Sequence, residues 1–189
     1  MVSSTEAPRS RKRPDERREE ILAASSSIAL DDGLESITLR AVADRLGVRP
    51  GLITHYFPIA QDLVIAAFTR AVTAEREQLI PPDGSPLERM ARMSSAAQNQ
   101  ESRPLARLWL NARHLSRFTP PLAQALEEQE ALGRARLLRL IEAGVLNGDF
   151  STTDPFGACV RILIAIDGVG AYVNDNGTFG AEAYTHFVA

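Results

Sequence analysis

Apolar residues recur along this chain at intervals of three and four positions, the spacing that places them on one face of an α-helix. Proline, glycine or clusters of polar residues, which end helices, separate the periodic stretches. Residues 86–189 contain no strand signal. The pattern predicts an all-α protein, with helices at 14–30, 39–46, 50–57, 59–79, 87–100, 104–118, 121–145 and 154–174.

The two shortest of these helices carry signals at their ends. Thr38 is suited to cap the start of the first helix, and Gly47 is suited to end it in the left-handed conformation. Pro50 favours the first turn of the second helix. The apolar face of the first helix consists of Leu39, Val42, Ala43 and Leu46. Two short helices joined by a tight turn form a helix-turn-helix, whose second helix fits the major groove of DNA.

A longer helix precedes this pair. Pro14, Asp15 and Glu16 place a favourable residue and negative charge at its start, and Gly33 supplies its stop. We expect this helix to brace the two short ones rather than enter a groove. The chain then divides into a basic arm at 1–13, a DNA-binding domain at 14–60 and a helical domain at 61–189.

The N-terminal arm is rich in serine, proline and arginine and has no periodicity, so it is expected to be disordered in isolation. It and the start of the first helix carry a cluster of cations: Arg9, Arg11, Lys12, Arg13, Arg17 and Arg18. One interpretation is an arm that meets phosphates or a minor groove of DNA. The other is a solubilising tail, because short charge runs are usually solvated.

Composition narrows the class of protein. The chain has 189 residues and is 44% hydrophobic, which is enough apolar material for a core. Its net charge of −3 shows no overall excess of basic residues of the kind that marks many nucleic-acid-binding proteins. One cysteine, Cys159, excludes an internal disulfide and suits a reducing compartment, where a small buried apolar role is favoured over a redox role. The longest apolar run, 160–173, is interrupted by Asp167 and is too short to span a bilayer. A soluble, cytoplasmic protein is expected.

One segment resembles a known family. After the first helix and Gly33, the chain has the pattern T-L-x-x-V-A-x-x-L-G-V-x-x-G-L-I-x-H-Y-F-P, followed by an acidic-leucine pair. Over about residues 21–63 this resembles the DNA-binding domain of the tetracycline-repressor (TetR/AcrR) family. Two positions depart from the family pattern: Thr54 replaces a frequent tyrosine, and Ala60 replaces a common lysine. The resemblance implies a bacterial transcription regulator with a helical regulatory domain.

The resemblance also assigns candidate DNA contacts. The residues expected to contact DNA are Arg17, Thr38, Arg40, Arg49, Pro50, Gly51, Thr54, His55 and Tyr56. Arg49 and His55 carry donors that reach guanine acceptors or phosphates, and the methyl group of Thr54 suits contact with thymine. The alternative for His55 is a capped or half-buried imidazole. Ile53 and Phe57 are core residues in either case.

Candidate ligand contacts are spread over the helical domain. They mix large adaptable apolar groups with a few polar ones, the chemistry of a small-molecule site between helices. These residues are Met90, Met93, Trp109, Asn111, Arg113, His114, Phe118 and Asp167. The alternative is that the large apolar members only fill the core. Asp167 is expected either to be a pocket or interface acid, or to pair with an arginine such as Arg161 or one from a second subunit.

The last predicted helix is apolar almost all round, with the sequence PFGACVRILIAIDGVGAYV. A helix of this kind has to be covered on every side, and only the short segment 181–189 remains to cover it. A second subunit is therefore expected against the C-terminal helices. A two-fold dimer also suits a palindromic DNA site.

These features together predict a homodimeric, ligand-responsive transcription regulator, most simply a repressor that a small-molecule effector releases from a palindromic double-stranded operator. No enzyme, cofactor or metal is predicted, because His55, His114 and His186 are far apart in sequence and no hydrolase or nucleotide-binding motif occurs. The competing hypothesis is a helical enzyme or small-molecule carrier whose first three helices are only structural. The operator, the effector and the choice between repression and activation stay open.

Overall fold

The computed structural model describes residues 12–97 and 103–173. Within these ranges the chain forms α-helices and one short 3-10 turn, Leu34–Ser36, and no strand. The helices are α1 (Pro14–Asp32), α2 (Leu39–Leu46), α3 (Pro50–Tyr56), α4 (Ala60–Leu79), α5 (Pro86–Ala97), α6 (Arg103–Ser116), α7 (Pro120–Asn147) and α8 (Pro155–Val173). The all-α prediction is confirmed. The predicted arm up to residue 11, the helix ends at 100 and 174, and the segment 181–189 lie outside the described residues.

Helix α1 forms as its sequence signals predict and extends two residues beyond the predicted end. The backbone N–H of Arg13 donates to the Glu16 carboxylate at 3.1 Å, and Pro14 occupies the first turn. At the other end, the N–H of Gly33 donates to the Ala29 carbonyl at 3.1 Å, with Gly33 at φ 93°. This positive φ favours glycine and turns the chain away from the helix axis.

The main hydrophobic core extends across the predicted domain boundary at residue 60. It joins buried side chains of α1 to α4 with buried side chains of α6 and α7. Phe68 of α4 is fully buried at its centre and meets the ring of Trp109 edge to face, 5.4 Å between centroids. Ser26 of α1 donates its buried hydroxyl to the Ala67 carbonyl of α4 at 2.9 Å. The division at residue 60 stays a prediction, and helices α1 to α3 share their core with helices that follow residue 60.

A second core lies between α5, α7 and α8, with Ile80 at the end of α4. Cys159 is fully buried in it, and its thiol lies 3.7 Å from the Arg134 carbonyl oxygen. Burial raises the pKa of the Cys159 thiol, which keeps it in the unreactive neutral form. The Cys159 side chain therefore contributes to packing as a small apolar group.

The connection after α7 is closed by two glycines. Gly148 ends the helix in the left-handed conformation, at φ 78° and ψ 9°. Gly144 lies one turn earlier, and a β-carbon built there would be 2.1 Å from the Phe150 ring. Phe150 therefore packs directly on the helix backbone, and the Gly144 carbonyl accepts from the N–H groups of Asp149 and Phe150.

Across residues 12–97 and 103–173, no single helix is both long and apolar enough to cross a membrane. The pair α3 and α4 meets those length and composition criteria only when joined, and the two helices are bent by 76° at their junction.

Candidate nucleic-acid interface

The turn between α2 and α3 has the geometry that its sequence predicts. The side-chain oxygen of Thr38 accepts from the Ala41 backbone N–H at 3.0 Å, which satisfies one of the free donors at the start of α2. Gly47 ends α2 in the left-handed conformation, at φ 63° and ψ 38°, and Pro50 is in the first turn of α3. Both caps are confirmed, and they set the angle at which α3 leaves α2.

Helix α3 has one buried side and one exposed side. Ile53 is fully buried, and Phe57, which follows the helix, is 4% exposed, so these two residues anchor α3 to the core as predicted. The opposite side carries Arg49, Pro50, Gly51, Thr54 and His55, all exposed, with Tyr56 partly exposed beside them. We call these six residues the recognition surface. Thr38 and Arg40 of the α2 start are also exposed.

The polar groups of the recognition surface differ in how they are held. Arg49 and His55 have no ion-pair partner among the described residues, so their donors are available to a ligand. The Thr54 hydroxyl donates to the Pro50 carbonyl at 3.3 Å, and the Thr54 side chain is exposed. The ring of His55 meets the ring of Tyr56 edge to face, 5.2 Å between centroids. A β-carbon at Gly51 would touch nothing within 4 Å, so this position leaves open space for another molecule.

Three candidate cations outside the recognition surface are already paired. Arg17 donates to the Glu20 carboxylate at 2.6 Å, and Lys12 contacts the same carboxylate at 2.6 Å. The hydrogen bond from Lys12 lowers the pKa of Glu20, which keeps that carboxylate charged. Arg40 lies 3.8 Å from Asp44 in a fully exposed pair that contributes little. A phosphate contact by Arg17 would therefore replace a close ion pair, whereas one by Arg40 would replace only this longer, exposed pair.

Arginines of α1 and α2 also brace the unit. The guanidinium of Arg18 lies over the Phe57 ring, 5.0 Å from its centroid. Arg45 of α2 donates to Ser27 and contacts Asp31, both in α1. These contacts link α1 to the helices it was expected to brace, and no local pattern in the sequence identified them.

Three of the predicted ligand residues meet in the structure. Arg113 of α6 donates to Asp167 of α8 at 2.9 Å, and its guanidinium is 5.7 Å from the Trp109 ring centroid. The Trp109 indole N–H donates to Glu75 of α4 at 2.9 Å. Burial raises the pKa of Glu75, and the indole hydrogen bond offsets part of that effect. Of the pairings considered for Asp167, an arginine of the same chain is observed, and it is Arg113 rather than Arg161.

The other predicted ligand residues lie elsewhere. Met90 and Met93 pack in the second core, and Met93 is 4% exposed. Phe118 is 73% exposed and meets the ring of His114, 5.8 Å between centroids. Asn111 binds the 3-10 turn that precedes α2. A groove of about 640 Å³ between α1 and α4 is lined by none of the eight residues, so their joint role as one ligand site stays a prediction.

A capped pair of short helices, braced by a third helix and carrying an exposed polar face, has the geometry of the helix-turn-helix motif. The comparisons with known proteins agree. Residues 21–67 match the family model described as "Bacterial regulatory proteins, tetR family". This match confirms the resemblance to the TetR family that the sequence indicates, over the segment that contains the helix-turn-helix.

Two curated relatives illustrate how far the similarity extends. The transcriptional repressor KstR of Rhodococcus jostii is 38% identical over 76 residues, which are 40% of this chain and 36% of the relative. KstR2 of Mycolicibacterium smegmatis is 24% identical over 148 residues, covering 76% of this chain and 72% of the relative. The match to KstR thus spans about a third of that relative's length, and the match to KstR2 is longer but more distant.

Solved structures show the same fold. A TetR-family regulator from Rhodococcus sp. superposes with a TM-score of 0.76 at 22% identity, covering 92% of this chain and 95% of the other. FadR of Bacillus subtilis, solved in complex with stearoyl-CoA, superposes with a TM-score of 0.66 at 20% identity, covering 90% and 94%. These identities establish the shared architecture alone.

Proposed function

We propose that this protein is a transcriptional repressor that binds a palindromic DNA operator as a homodimer and is released by a small-molecule effector. The observation that carries the proposal is the recognition surface. Arg49, Thr54 and His55 project from a short helix whose start follows a capped turn and whose back is anchored in the core. A rigid helix with free donors on its outer side is the form in which helix-turn-helix proteins read base edges.

The homodimer is supported by exposed apolar residues on the last two helices. Leu132 and Leu146 of α7 are 50% and 88% exposed, and Phe156 and Ile164 of α8 are 56% and 65% exposed. Soluble proteins seldom leave several large apolar side chains on adjacent helices without a partner surface. A two-fold pairing of these helices would give two recognition helices, which need a separation of about 34 Å to read successive major grooves.

Effector release is supported by the second domain and by what related proteins bind. FadR of Bacillus subtilis was solved with stearoyl-CoA, and a regulator of Saccharomonospora viridis was solved with choline. These ligands were bound by those two proteins, and the proposal names no effector for this chain. Effector and DNA would favour different arrangements of the protein, with a coupling free energy of about 1–3 kcal/mol. A cytoplasmic location is part of the same proposal.

Selection of bound duplexes from a random DNA pool tests the operator proposal directly. We expect one palindromic sequence to be enriched. Arg49→Ala and His55→Ala should then change which sequences are bound, because their donors face the bases. Loss of Arg11 to Arg13 should weaken binding to all sequences and reduce its salt dependence. If both single variants keep the affinity and the sequence preference of the wild type, the assignment of α3 as the recognition helix is wrong.

Sedimentation tests the dimer. At micromolar concentration we expect a dimer for the wild type and a monomer for Ile164→Glu, because a carboxylate at a 65% exposed apolar position would be buried on pairing. A wild-type monomer would remove the explanation for the exposed α7 and α8 residues. Enzymatic turnover or ligand carriage without DNA binding would instead favour the competing hypothesis, in which the first three helices are only structural.

A further inference from the structure

One side chain of the second domain holds the backbone immediately before the DNA-binding helices. The side-chain oxygen of Asn111, in α6, accepts from the Leu34 backbone N–H at 2.9 Å. Its amide nitrogen donates to the Glu35 carboxylate at 2.8 Å. Leu34 is 1% exposed, and its hydrogen bond to Asn111 is partly buried. We call these two hydrogen bonds the Asn111 clamp.

The backbone at the clamp is shaped to receive it. Gly33 has a φ of 93°, and a β-carbon there would lie 3.1 Å from the Glu35 carboxylate and 3.7 Å from the Asn111 oxygen. The absence of a side chain at Gly33 therefore leaves the room that the clamp occupies.

The clamped turn leads directly into α2. The Ile37 N–H donates to the Leu34 carbonyl at 3.2 Å, and the Ser36 hydroxyl donates to the Asp32 carbonyl at 3.0 Å. Ile37 is 5% exposed, and the next residue, Thr38, caps α2. Because this segment is short, internally bonded and anchored by two buried side chains, Leu34 and Ile37, a displacement of Leu34 is expected to reach the start of α2.

The same helix that carries Asn111 is bonded to the remaining helices of the second domain. One face of α6 packs into the main core through Leu108 and Ala112, both essentially buried. Trp109 binds Glu75 of α4, while Arg113 binds α7 and α8 through Glu130 and Asp167. Helix α6 therefore contacts α4, α7 and α8, and it also carries the clamp.

We infer that Asn111 is a positioning residue that couples the second domain to the DNA-binding helices through the turn at residues 34–36, independently of the covalent continuation from α3 into α4. This inference rests on the proposed DNA-binding function. It predicts that DNA binding changes the exposure of α6, and that this change depends on the two hydrogen bonds of Asn111.

The test combines DNA affinity with hydrogen exchange on the full chain, using the duplex enriched from the random pool. In the wild type, adding the duplex should slow amide exchange in peptides that cover α6. Asn111→Ala should weaken DNA binding about fivefold to tenfold, in the lower part of typical coupling strengths, and should abolish the DNA-dependent slowing in α6. Asn147→Ala removes an exposed asparagine side chain at the end of α7 and serves as the matched control with wild-type behaviour.

A double variant that exchanges the amide and the carboxylate of the clamp separates coupling from loss of structure. Asn111→Asp keeps an acceptor for the Leu34 N–H but loses the donor and faces the Glu35 carboxylate, so it should weaken binding. Adding Glu35→Gln restores a donor and an acceptor with their roles exchanged, and we expect the double variant to bind DNA within about twofold of the wild type and to regain the α6 slowing.

The outcomes distinguish the coupling role of Asn111 from the proposed DNA-binding function. If the wild type binds the duplex while Asn111→Ala keeps the same affinity and the same α6 slowing, the coupling role of Asn111 is refuted and the proposed function stands. If the double variant is as impaired as Asn111→Asp, the clamp is not the coupling element. If the wild type prefers no duplex over random DNA, the proposed function fails and the inference fails with it.

Discussion

Removing the cap at Thr38 should destabilise the protein by an amount that the structure defines. Thr38 accepts one hydrogen bond, 3.0 Å long, from the Ala41 N–H at the start of an eight-residue helix. Replacing such a cap by alanine costs about 1 kcal/mol, with a range of about 0.5–2. For a domain of this size, about 1 kcal/mol lowers the melting temperature by about 2–4 °C. Thr38→Ala is therefore expected to melt about 2–4 °C below the wild type.

Two further variants isolate the cap from other effects of the substitution. Thr38→Ser keeps the hydroxyl oxygen and should retain most of the stability. Thr54→Ala removes the same atoms from an exposed site inside α3, where the hydroxyl only bonds back to the Pro50 carbonyl, so it should melt at or slightly above the wild type. The melts are compared at one protein concentration, because the proposed dimerisation would make the midpoint concentration-dependent. Equal melting of Thr38→Ala and the wild type, or equal losses for the serine and alanine variants, would refute the cap argument.

Two other substitutions test packing and burial. Gly144→Ala should lower the melting temperature, because its β-carbon would lie 2.1 Å from the Phe150 ring. Overpacking of this kind costs about 1–3 kcal/mol, which is expected to exceed the gain of about 1 kcal/mol in helix propensity from glycine to alanine. Gly133→Ala, in the same helix with nothing within 4 Å, should raise it, and the opposite order would contradict the packing argument. Burial raises the pKa of Glu75 above the ordinary 4.5. The protonated side chain therefore contributes to the stability of the folded protein below about pH 4.5, and this contribution is lost as the pH rises through the folded-state pKa. Glu75→Gln should accordingly melt above the wild type at pH 7 and lose that advantage toward pH 4, whereas a constant difference between the two pH values would exclude ionisation as the cause.

The recognition surface could be predicted from the sequence because its determinants are local. The cap at Thr38 acts over three residues, the left-handed turn at Gly47 depends on one residue, and the buried position of Ile53 follows from helical spacing. The available interactions at such positions are few, so the residue type nearly specifies the conformation. Which of the exposed side chains contact DNA stays a prediction.

The contacts of the second domain were less predictable, because its polar side chains bind partners that are far away in the sequence. Asp167 had several candidate arginines, and the packing of α6 against α8 brings it to Arg113, 54 residues away in sequence. Asn111 was predicted as a ligand contact, and the structure shows it bound to Leu34, 77 residues away. A periodic pattern shows which face of a helix is buried, but it contains no information about which helix covers that face.

The sequence by itself therefore determined the helices, their caps and the helix-turn-helix between residues 38 and 57, because hydrogen bonds within one turn and apolar spacing along one helix depend only on neighbouring residues. Only the tertiary structure decided that α6 contacts the turn at Leu34–Ser36 and that one core joins the DNA-binding helices to the second domain. Those contacts form between residues far apart in the chain, and their identity depends on how the helices pack together.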